Sequence, residues 1–350
     1  MSHPLLSAVI INYNGKHQLE SCLESLFKQT QKNLEIIYID NNSADGSNDL
    51  IKTKYPQILS VFNQQNTGYA GGANQGIGMA KGDYIILMNP DIIFEPDYTE
   101  KCLAKMEADK KIASITGKIY KYDFEKKQKT RVIDTVGLFC FRNRRIIDDG
   151  QGIEDKGQFD RPKEIFGVSG SCPIYRKSAL MDVKVFDDFL DSDFFMYKED
   201  VDLAWRFRLL GWKSYYLPSA AAYHGRGTGV LKRFSHIEVY KNRGKLNKFQ
   251  KYHSYKNQRW MQIKNEFVFG VLRDFFPIIC KEFLIFGYMI FKEPFLFKAL
   301  GEMLIKLPRF LKKRNYIMMH RRVGRKEMQK WFCCNNSQYL QDENSGNKSA

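Results

Sequence analysis

The sequence predicts an α/β fold around a buried, largely parallel sheet, with a basic helical region appended at its C-terminal end. Three observations lead there. Short apolar runs alternate with amphipathic segments through the first 90 residues, polar or acidic residues stand where those runs stop, and from about Lys241 the pattern changes to longer apolar segments studded with cations. With 350 residues and 43% hydrophobic composition, the chain can bury a full α/β core and still carry an appended region.

The elements follow in order. Leu5 to Ile11 is an apolar run closed by Asn12; it begins without a preceding basic segment, so it reads as a first core strand and not as a signal peptide. Gln18 to Gln29 places Leu19, Leu23 and Leu26 on one helical face, and Leu34 to Ile39 is a second strand ending in Asp40. A strand, a helix and a strand in this order make a right-handed parallel unit. Ser43 to Ser47 turns the chain into another helix. Ile58 to Phe62 is a third strand, Gly71 to Ala80 a Gly/Ala-rich helix, and Tyr84 to Met88 a fourth strand stopping at Asn89-Pro90-Asp91. Between Gln128 and Gly167 the periodicity weakens, and a long mobile excursion is expected. Order resumes at Phe166, a helix starts near Glu199 and stops at Gly211, and Lys213 to Leu217 is a further strand. His224 then falls in a glycine-rich segment read as an exposed, adaptable loop. The last dozen residues have the composition of a disordered tail.

Seven cysteines form neither zinc-ligand spacings nor a CxxC motif, which points to reduced thiols in a cytosolic protein. The net charge of +16 is localised: residues 241–332 hold 22 Lys/Arg against 6 Asp/Glu, whereas residues 1–240 hold 32 against 31. That asymmetry points to a partner for the last third, with anionic lipid and nucleic acid both fitting the sign.

In an open parallel sheet, ligands bind at the carboxyl edge, where Asn12, Asp40 and Asp91 gather. A nicotinamide site is excluded, because Asn12-Tyr13-Asn14-Gly15 stands where Gly-x-Gly-x-x-Gly would follow the first strand. Asp40 can accept hydrogen bonds from a base or ribose, or serve as a turn former. The Gly68 to Gly76 segment, with Gly71 and Asn74, suits either an anion at a helix start or close helix packing. Asn89 and Asp91, stiffened by Pro90, offer hard oxygen ligands for Mg²⁺ or Mn²⁺ bridging a diphosphate, and a plain turn is the alternative. Asp191, Asp193, Glu199, Asp200 and Asp202 form the densest acidic group, set among aromatics where idle carboxylates are costly; a general base is the preferred reading, helix capping the bland one. His224 suits a nitrogen ligand of the same metal, and Arg226 suits diphosphate charge.

These segments resemble the inverting family 2 glycosyltransferases of the GT-A fold, in particular their rhamnosyltransferase-like branch. The resemblance rests on SAVIINYNG at 7–15, IIYIDNNSADGS at 36–47, NQQNTGYAGGANQGI at 63–77, DYIILMNPDI at 83–92, VSGSCPIYRKSAL at 168–180, FFMYKEDVDLAWRFRLLGW at 194–212 and YHGRGTG at 223–229. It implies a mixed Rossmann-like sheet flanked by helices, with a catalytic domain over 1–240 divided into a nucleotide-binding half (5–92) and an acceptor and base half (93–240). Asp40 is similar to the acid that reads the nucleotide base, with Asn12 and Asn14 beside it. Asp91 looks like the last acid of a metal-binding Asp-x-Asp, with Asn89 in its first position. Asp200 resembles the catalytic base, Glu199 the residue orienting it or the acceptor, and His224 the histidine completing the metal site. Asn257-Gln258-Arg259-Trp260 only superficially resembles the Gln-x-x-Arg-Trp of processive synthases, so one addition per encounter is expected. The implied substrates are a nucleotide-diphosphate sugar, dTDP-rhamnose or a UDP-hexose, and a lipid-linked or oligosaccharide acceptor. A nucleotidyltransferase and a basic nucleic-acid-binding module are the rival readings. The first lacks its phosphate-gripping loop; the second fits poorly because the cations interleave with apolar runs, so no nucleic acid is expected.

Residues 241–332 are expected to dock peripherally on the cytoplasmic, anionic face of a membrane, with 333–350 as a tail. Arg273, Asp274, Lys281, Glu282, Lys292 and Glu293 interrupt every apolar run, the longest being nine residues, against the roughly 20 needed to cross. The alternative is packing of these helices on the catalytic domain or in a homodimer.

Overall fold

The computed structural model describes residues 5–225 and 243–332, so Arg226 and the tail at 333–350 lie outside the described residues. Four strands, β1 (Leu6–Asn12), β2 (Leu34–Asp40), β3 (Leu59–Phe62) and β4 (Tyr84–Met88), pair in parallel in the spatial order β4-β1-β2-β3. Alternate residues of β1 serve two cores. Val9 and Ile11 pack with Ala70, Ala73 and Ile77 of α3 (Gly68–Met79), whereas Leu6, Ala8 and Ile10 pack with Leu19, Leu23 and Leu26 of α1 (Lys16–Phe27). A sheet covered on both faces needs apolar residues at every position, so these strands read as continuous runs. A second helix on the α1 side of the chain order, α2 (Ser47–Lys54), links β2 to β3.

The second half turns the sheet mixed. After β5 (Ile92–Phe94) and α4 (Tyr98–Ala108) come β6 (Ile112–Asp123), β7 (Gln128–Thr135), β8 (Leu138–Cys140), β9 (Ile146–Asp148) and β10 (Lys163–Ile165). Next are β11 (Ile174–Arg176), α5 (Lys177–Asp182), α6 (Glu199–Leu209) and β12 (Lys213–His224). The full order is β10-β12-β6-β11-β4-β1-β2-β3, with β11 antiparallel to both β4 and β6.

Two expectations are corrected here. The stretch from Gln128 to Gly167 is not a structureless excursion. It holds β7, β8, β9 and β10, three of them only three residues long, too short for a period of two to show in sequence. His224 is not in an exposed loop either. After a register shift between Leu217 and Ala221, β12 continues to His224, pairing with β6 on one side and β5 on the other. That added pairing buries the histidine to 7% exposure.

The C-terminal arm comprises α7 (Lys248–Asn265), α8 (Val268–Arg273), α9 (Phe275–Lys292), α10 (Phe297–His320) and α11 (Arg325–Gln329). Part of it joins the catalytic core: Trp260, Met261, Phe310, Ile317 and Met328 pack in the same cluster as Trp205 and Phe207 of α6, and the Trp260 and Phe310 rings stack at 4.1 Å. Much of its charge is also consumed internally. Lys264 pairs with Asp191 at 2.5 Å and Asp202 at 2.9 Å, and Lys313 with Asp191 at 2.5 Å and Asp193 at 2.7 Å. Arg309 reaches Asp193 at 2.7 Å and Arg322 reaches Asp182 at 2.7 Å. The charge asymmetry of the sequence is thus answered partly within the chain, and Asp191, Asp193 and Asp202 of the acidic group anchor the arm. Among the described residues no helix is long and apolar enough to cross a membrane.

Candidate active site

The rim at the ends of β1 and β2 is built from internal hydrogen bonds. Asp40 is fully buried. Its Oδ1 accepts from Asn12 Nδ2 at 2.9 Å and the Tyr38 hydroxyl at 3.2 Å, and its Oδ2 from the Ser43 amide at 2.8 Å and Asn48 Nδ2 at 3.1 Å. Asn12, also fully buried, donates further to Ser43 and Ser47 and accepts the Gly15 amide at 3.1 Å. Both residues therefore shape the 41–48 turn from beneath and line neither of the clefts described below. Asn14 is exposed and does line one, with its Oδ1 accepting the Ala44 amide at 2.8 Å.

Gly72 and Gly76 of α3 serve packing. A Cβ on Gly76 would lie 2.2 Å from Val9 Cγ1 and one on Gly72 3.0 Å from Ile11 Cγ2, so the helix can approach β1 only without side chains there. Gly71 lines neither cleft, and its own added Cβ would meet Thr67 at 2.7 Å. Asn74 is wholly engaged as a clasp: Nδ2 donates to the Leu190 carbonyl at 2.7 Å and Ser192 Oγ at 3.0 Å, while Oδ1 accepts the Phe189 and Leu190 amides. Gly71 and Asn74, expected as ligand contacts, are placed as structural residues instead, because α3 faces the sheet and the 188–192 segment.

Asp91 and His224 meet beside the β4 end. His224 Nε2 lies 3.2 Å from Asp91 Oδ2, and Nδ1 lies 2.8 Å from Asp134 Oδ2. Burial opposes a charged imidazole, but the two carboxylates outweigh it and hold His224 up to about 10. Asp134, fully buried on β7, is the residue that sequence reasoning missed. Asp91 Oδ1 is buried with no hydrogen-bond partner among the described residues. That unpaired oxygen, on the carboxylate whose Oδ2 faces the imidazole, fits a cation, which would take the place of the proton on His224 Nε2, with Asp134 orienting the histidine from behind. Among the described residues no group of three or more His, Cys, Asp or Glu is placed to hold a metal ion.

Two clefts meet at this point. One, of about 510 Å³, is lined by Tyr13, Asn14, Asn66, Asn89, Asp91 and Phe249, among others. The other, of about 450 Å³, is lined by Asp91, Asp148, Glu199, Asp200, His224 and Ser254, among others. They share Tyr69, Asn89, Asp91 and Met196. Glu199 and Asp200 open α6, where the helix dipole favours negative charge. Burial comes first in raising both: it and the neighbouring Asp200 push Glu199 up to about 8, and Asp200 is raised by burial and Asp148 despite Lys198. Asp200 keeps two donors to its charged form, the Gly170 amide at 2.9 Å and the Val201 amide at 2.8 Å. Glu199 Oε2 has no hydrogen-bond partner among the described residues. Both carboxyls of the pair are thus raised, and the two backbone amides favour ionisation of Asp200 over that of Glu199.

Comparison with known proteins bears on the family and the fold. The chain is 37% identical over 105 residues to the putative glycosyltransferase EpsH of Bacillus subtilis (strain 168), covering 29% of this chain and 30% of that protein. It is 28% identical over 240 residues to the N-acetylglucosaminyl-diphospho-decaprenol L-rhamnosyltransferase of Mycobacterium tuberculosis (strain ATCC 25618 / H37Rv), covering 63% of this chain and 76% of that protein. The crystal structure of GalNAc-T7 with UDP, GalNAc and Mn²⁺ superposes with a TM-score of 0.51 at 14% identity, over 74% of this chain and 51% of that one, a likeness in fold. The chain thus spans about a third of EpsH and half of GalNAc-T7. The family model described as Glycosyl transferase family 2 matches residues 7–184, just over half of the chain, and with the GT-A sheet and the paired clefts in place the protein belongs to that family.

Proposed function

We propose that this protein is an inverting glycosyltransferase that moves one sugar per encounter from a nucleoside diphosphate to a lipid-linked or oligosaccharide acceptor, for surface polysaccharide synthesis at the cytoplasmic face of a membrane. The observation that carries the reading is the meeting of two clefts at Asn89 and Asp91, one of them holding the Glu199–Asp200 pair. The cleft lined by Tyr13, Asn14 and Asn66 takes the donor nucleotide, and the cleft above Asp200 takes the acceptor. The rhamnosyl activity named for the mycobacterial relative makes dTDP-rhamnose the first donor to try, with UDP-hexoses next.

Asp200 takes the proton of the acceptor hydroxyl as that oxygen attacks the anomeric carbon. The bond from that carbon to the diphosphate oxygen breaks in the same displacement, so configuration inverts. Glu199, protonated, donates a hydrogen bond that orients the acceptor oxygen. Asp91, Asn89 and His224 fit a Mg²⁺ or Mn²⁺ ion, which when bound neutralises charge on the departing diphosphate. Asp134 holds the His224 ring so that Nε2 faces that position.

The test is a transfer screen with dTDP- and UDP-sugars against polyprenyl-diphosphate sugars, wild type beside Asp200→Asn. Turnover in the variant is expected to fall by roughly 10²-fold or more while calorimetry shows nucleotide affinity little changed. Absence of any UDP or dTDP binding, with Mg²⁺, Mn²⁺ or EDTA, sinks the donor assignment.

A further inference from the structure

The loop that delivers Glu199 and Asp200 is bent in a way its own sequence disfavours. Phe195 lies at φ 64° and ψ −65°, Tyr197 at φ 71° and Lys198 at φ 72°. None of them is a glycine, and L side chains avoid this region unless their surroundings over-determine it.

The determinant comes from the C-terminal arm. Asn257 of α7 is fully buried, and its Nδ2 shares its two N–H groups among the carbonyls of Phe194 at 2.9 Å, Met196 at 2.9 Å and Tyr197 at 2.8 Å. Its Oδ1 has no hydrogen-bond partner among the described residues, so the amide serves this place through its donors. One turn earlier, His253 Nδ1 lies 3.2 Å from the Phe194 carbonyl, and its ring packs 5.5 Å from that of Phe195. Lys264, farther along α7, grips both flanks of the loop through Asp191 and Asp202, and Asn265 adds a 2.8 Å bond to Asp202. Phe249 and Ser254 of the same helix line the two clefts directly.

We propose that Asn257 is a positioning residue for the transfer reaction: by gathering three carbonyls of the strained 194–198 loop, it fixes how Glu199 and Asp200 face the acceptor. The helix is then a working part of the active site, and the boundary between catalytic domain and C-terminal arm is not a functional one. This inference rests on the assignment of Asp200 as base. Removing the donors frees the loop to relax toward ordinary backbone angles, which misdirects the carboxylates and admits water to them.

The experiment compares the full chain with Asn257→Leu, which keeps the branched outline of the side chain but has no donors, and Asn257→Gln, which keeps the amide on a longer stem. Asn257→Leu is expected to lower kcat by about tenfold or more, with donor KM and UDP or dTDP affinity changing less, by about threefold, since the loop borders the nucleotide cleft through Phe195 and Met196 alone while it leads directly into both carboxylates of the acceptor cleft. The acid limb of the kcat–pH profile is expected to move to lower pH, because water relieves the burial of Glu199 and Asp200. The charged and titratable groups facing that pair are Asp148 on β9, Lys198 and Asp202 in their own segment, and the phenols of Tyr69 and Tyr175. Asn257→Gln is expected to recover part of both effects. An unchanged kcat, or a loss that only tracks the folded fraction by circular dichroism with an unmoved pH limb, overturns the proposal. Should Asn257→Leu fail to fold, Asn257→Ser, which keeps one donor, must show the same kcat-specific loss and pH shift in smaller measure. Asp200→Asn is run in parallel. If it is inactive while the Asn257 variants are normal, this inference alone falls; if it is active, the base assignment falls.

Discussion

At Glu199 the fold opposes ionisation of a carboxyl that lines the cleft. Its carboxyl, buried and next to Asp200, is held up at about 8 against an ordinary value of 4.5, so the folded protein binds a proton that the unfolded chain releases between those limits. The sign follows from linkage: with more protons on the native state, unfolding free energy falls as pH rises through that window. Glu199→Gln is therefore expected to leave the melting temperature unchanged below about pH 4.5 and to raise it relative to wild type above about pH 8. Thermal melts at pH 4 and pH 9 check this, and equal differences at both would reject the assignment of the proton. Legibility in sequence differs among these residues for a physical reason. Asp91, Glu199 and Asp200 each stand at the end of a recognisable element, where backbone geometry delivers them to the rim. Asp134 stands 90 residues before its partner His224, inside a segment with no clear period, and only the pairing of β6 with β7 and β12 brings the two together.

Among the elements, α3 separates two uses of glycine that look alike in sequence. Gly76 is pressed against Val9, where a Cβ would sit at 2.2 Å, whereas a Cβ on Gly78 would meet nothing within 4 Å. Gly76→Ala is expected to destabilise by about 1–3 kcal/mol through overpacking. Gly78→Ala is expected to stabilise by about 0.5–1 kcal/mol, because alanine loses less backbone entropy in a helix. Urea unfolding of the two variants measures both, and the same sign for both would contradict the packing described. The segment's rhythm announces a helix, but which glycines touch the sheet depends on rotation about the helix axis. Likewise the short strands between Gln128 and Ile165 exist because longer neighbours hold them, so no local signal could announce them.

At the scale of the whole molecule, the C-terminal arm presents two faces. One is fused to the catalytic core through Trp260, Phe310 and Ile317. The other is apolar and open: Phe276, Phe283, Leu284 and Phe291 on α9 are 76%, 70%, 70% and 81% exposed, and Leu304 and Ile305 on α10 are 72% and 81% exposed. Lys292, Lys298, Lys312 and Lys326 are exposed with no ion pair among the described residues, and Glu327 is the one exposed acid between Phe267 and Phe332. Aromatic side chains in the headgroup boundary with lysines on phosphate make an anionic bilayer the occupant we propose for this face. Each such lysine contributes up to roughly 1 kcal/mol, which makes the association reversible and salt-sensitive. In flotation assays the full chain is expected to rise with anionic vesicles at low salt and to be released at high salt. A triple variant, Phe283→Ser, Phe291→Ser and Ile305→Ser, is expected to stay behind with its melting temperature and nucleotide affinity unchanged. Equal recovery of wild-type protein in solution with and without anionic vesicles at low salt would reject the membrane face.

The sequence by itself determined the α/β class, the parallel strands β1 to β4, the family, and the identity of Asp91, Glu199, Asp200 and His224 as the residues to examine. Those features are local: a strand's apolar run and the polar residue that ends it occupy neighbouring positions, so the chain announces them. Tertiary structure decided the rest. Burial turned Asp40 and Asn12 inward, hydrogen bonds to Leu190 and Ser192 engaged Asn74, β12 pairing made His224 a buried strand residue held by Asp134, and ion pairs with Asp191, Asp193 and Asp202 consumed cations whose asymmetry in sequence pointed to a partner. The donors of Asn257 reach carbonyls about 60 positions away, and contacts of that range are set by how elements pack, which no window of sequence contains.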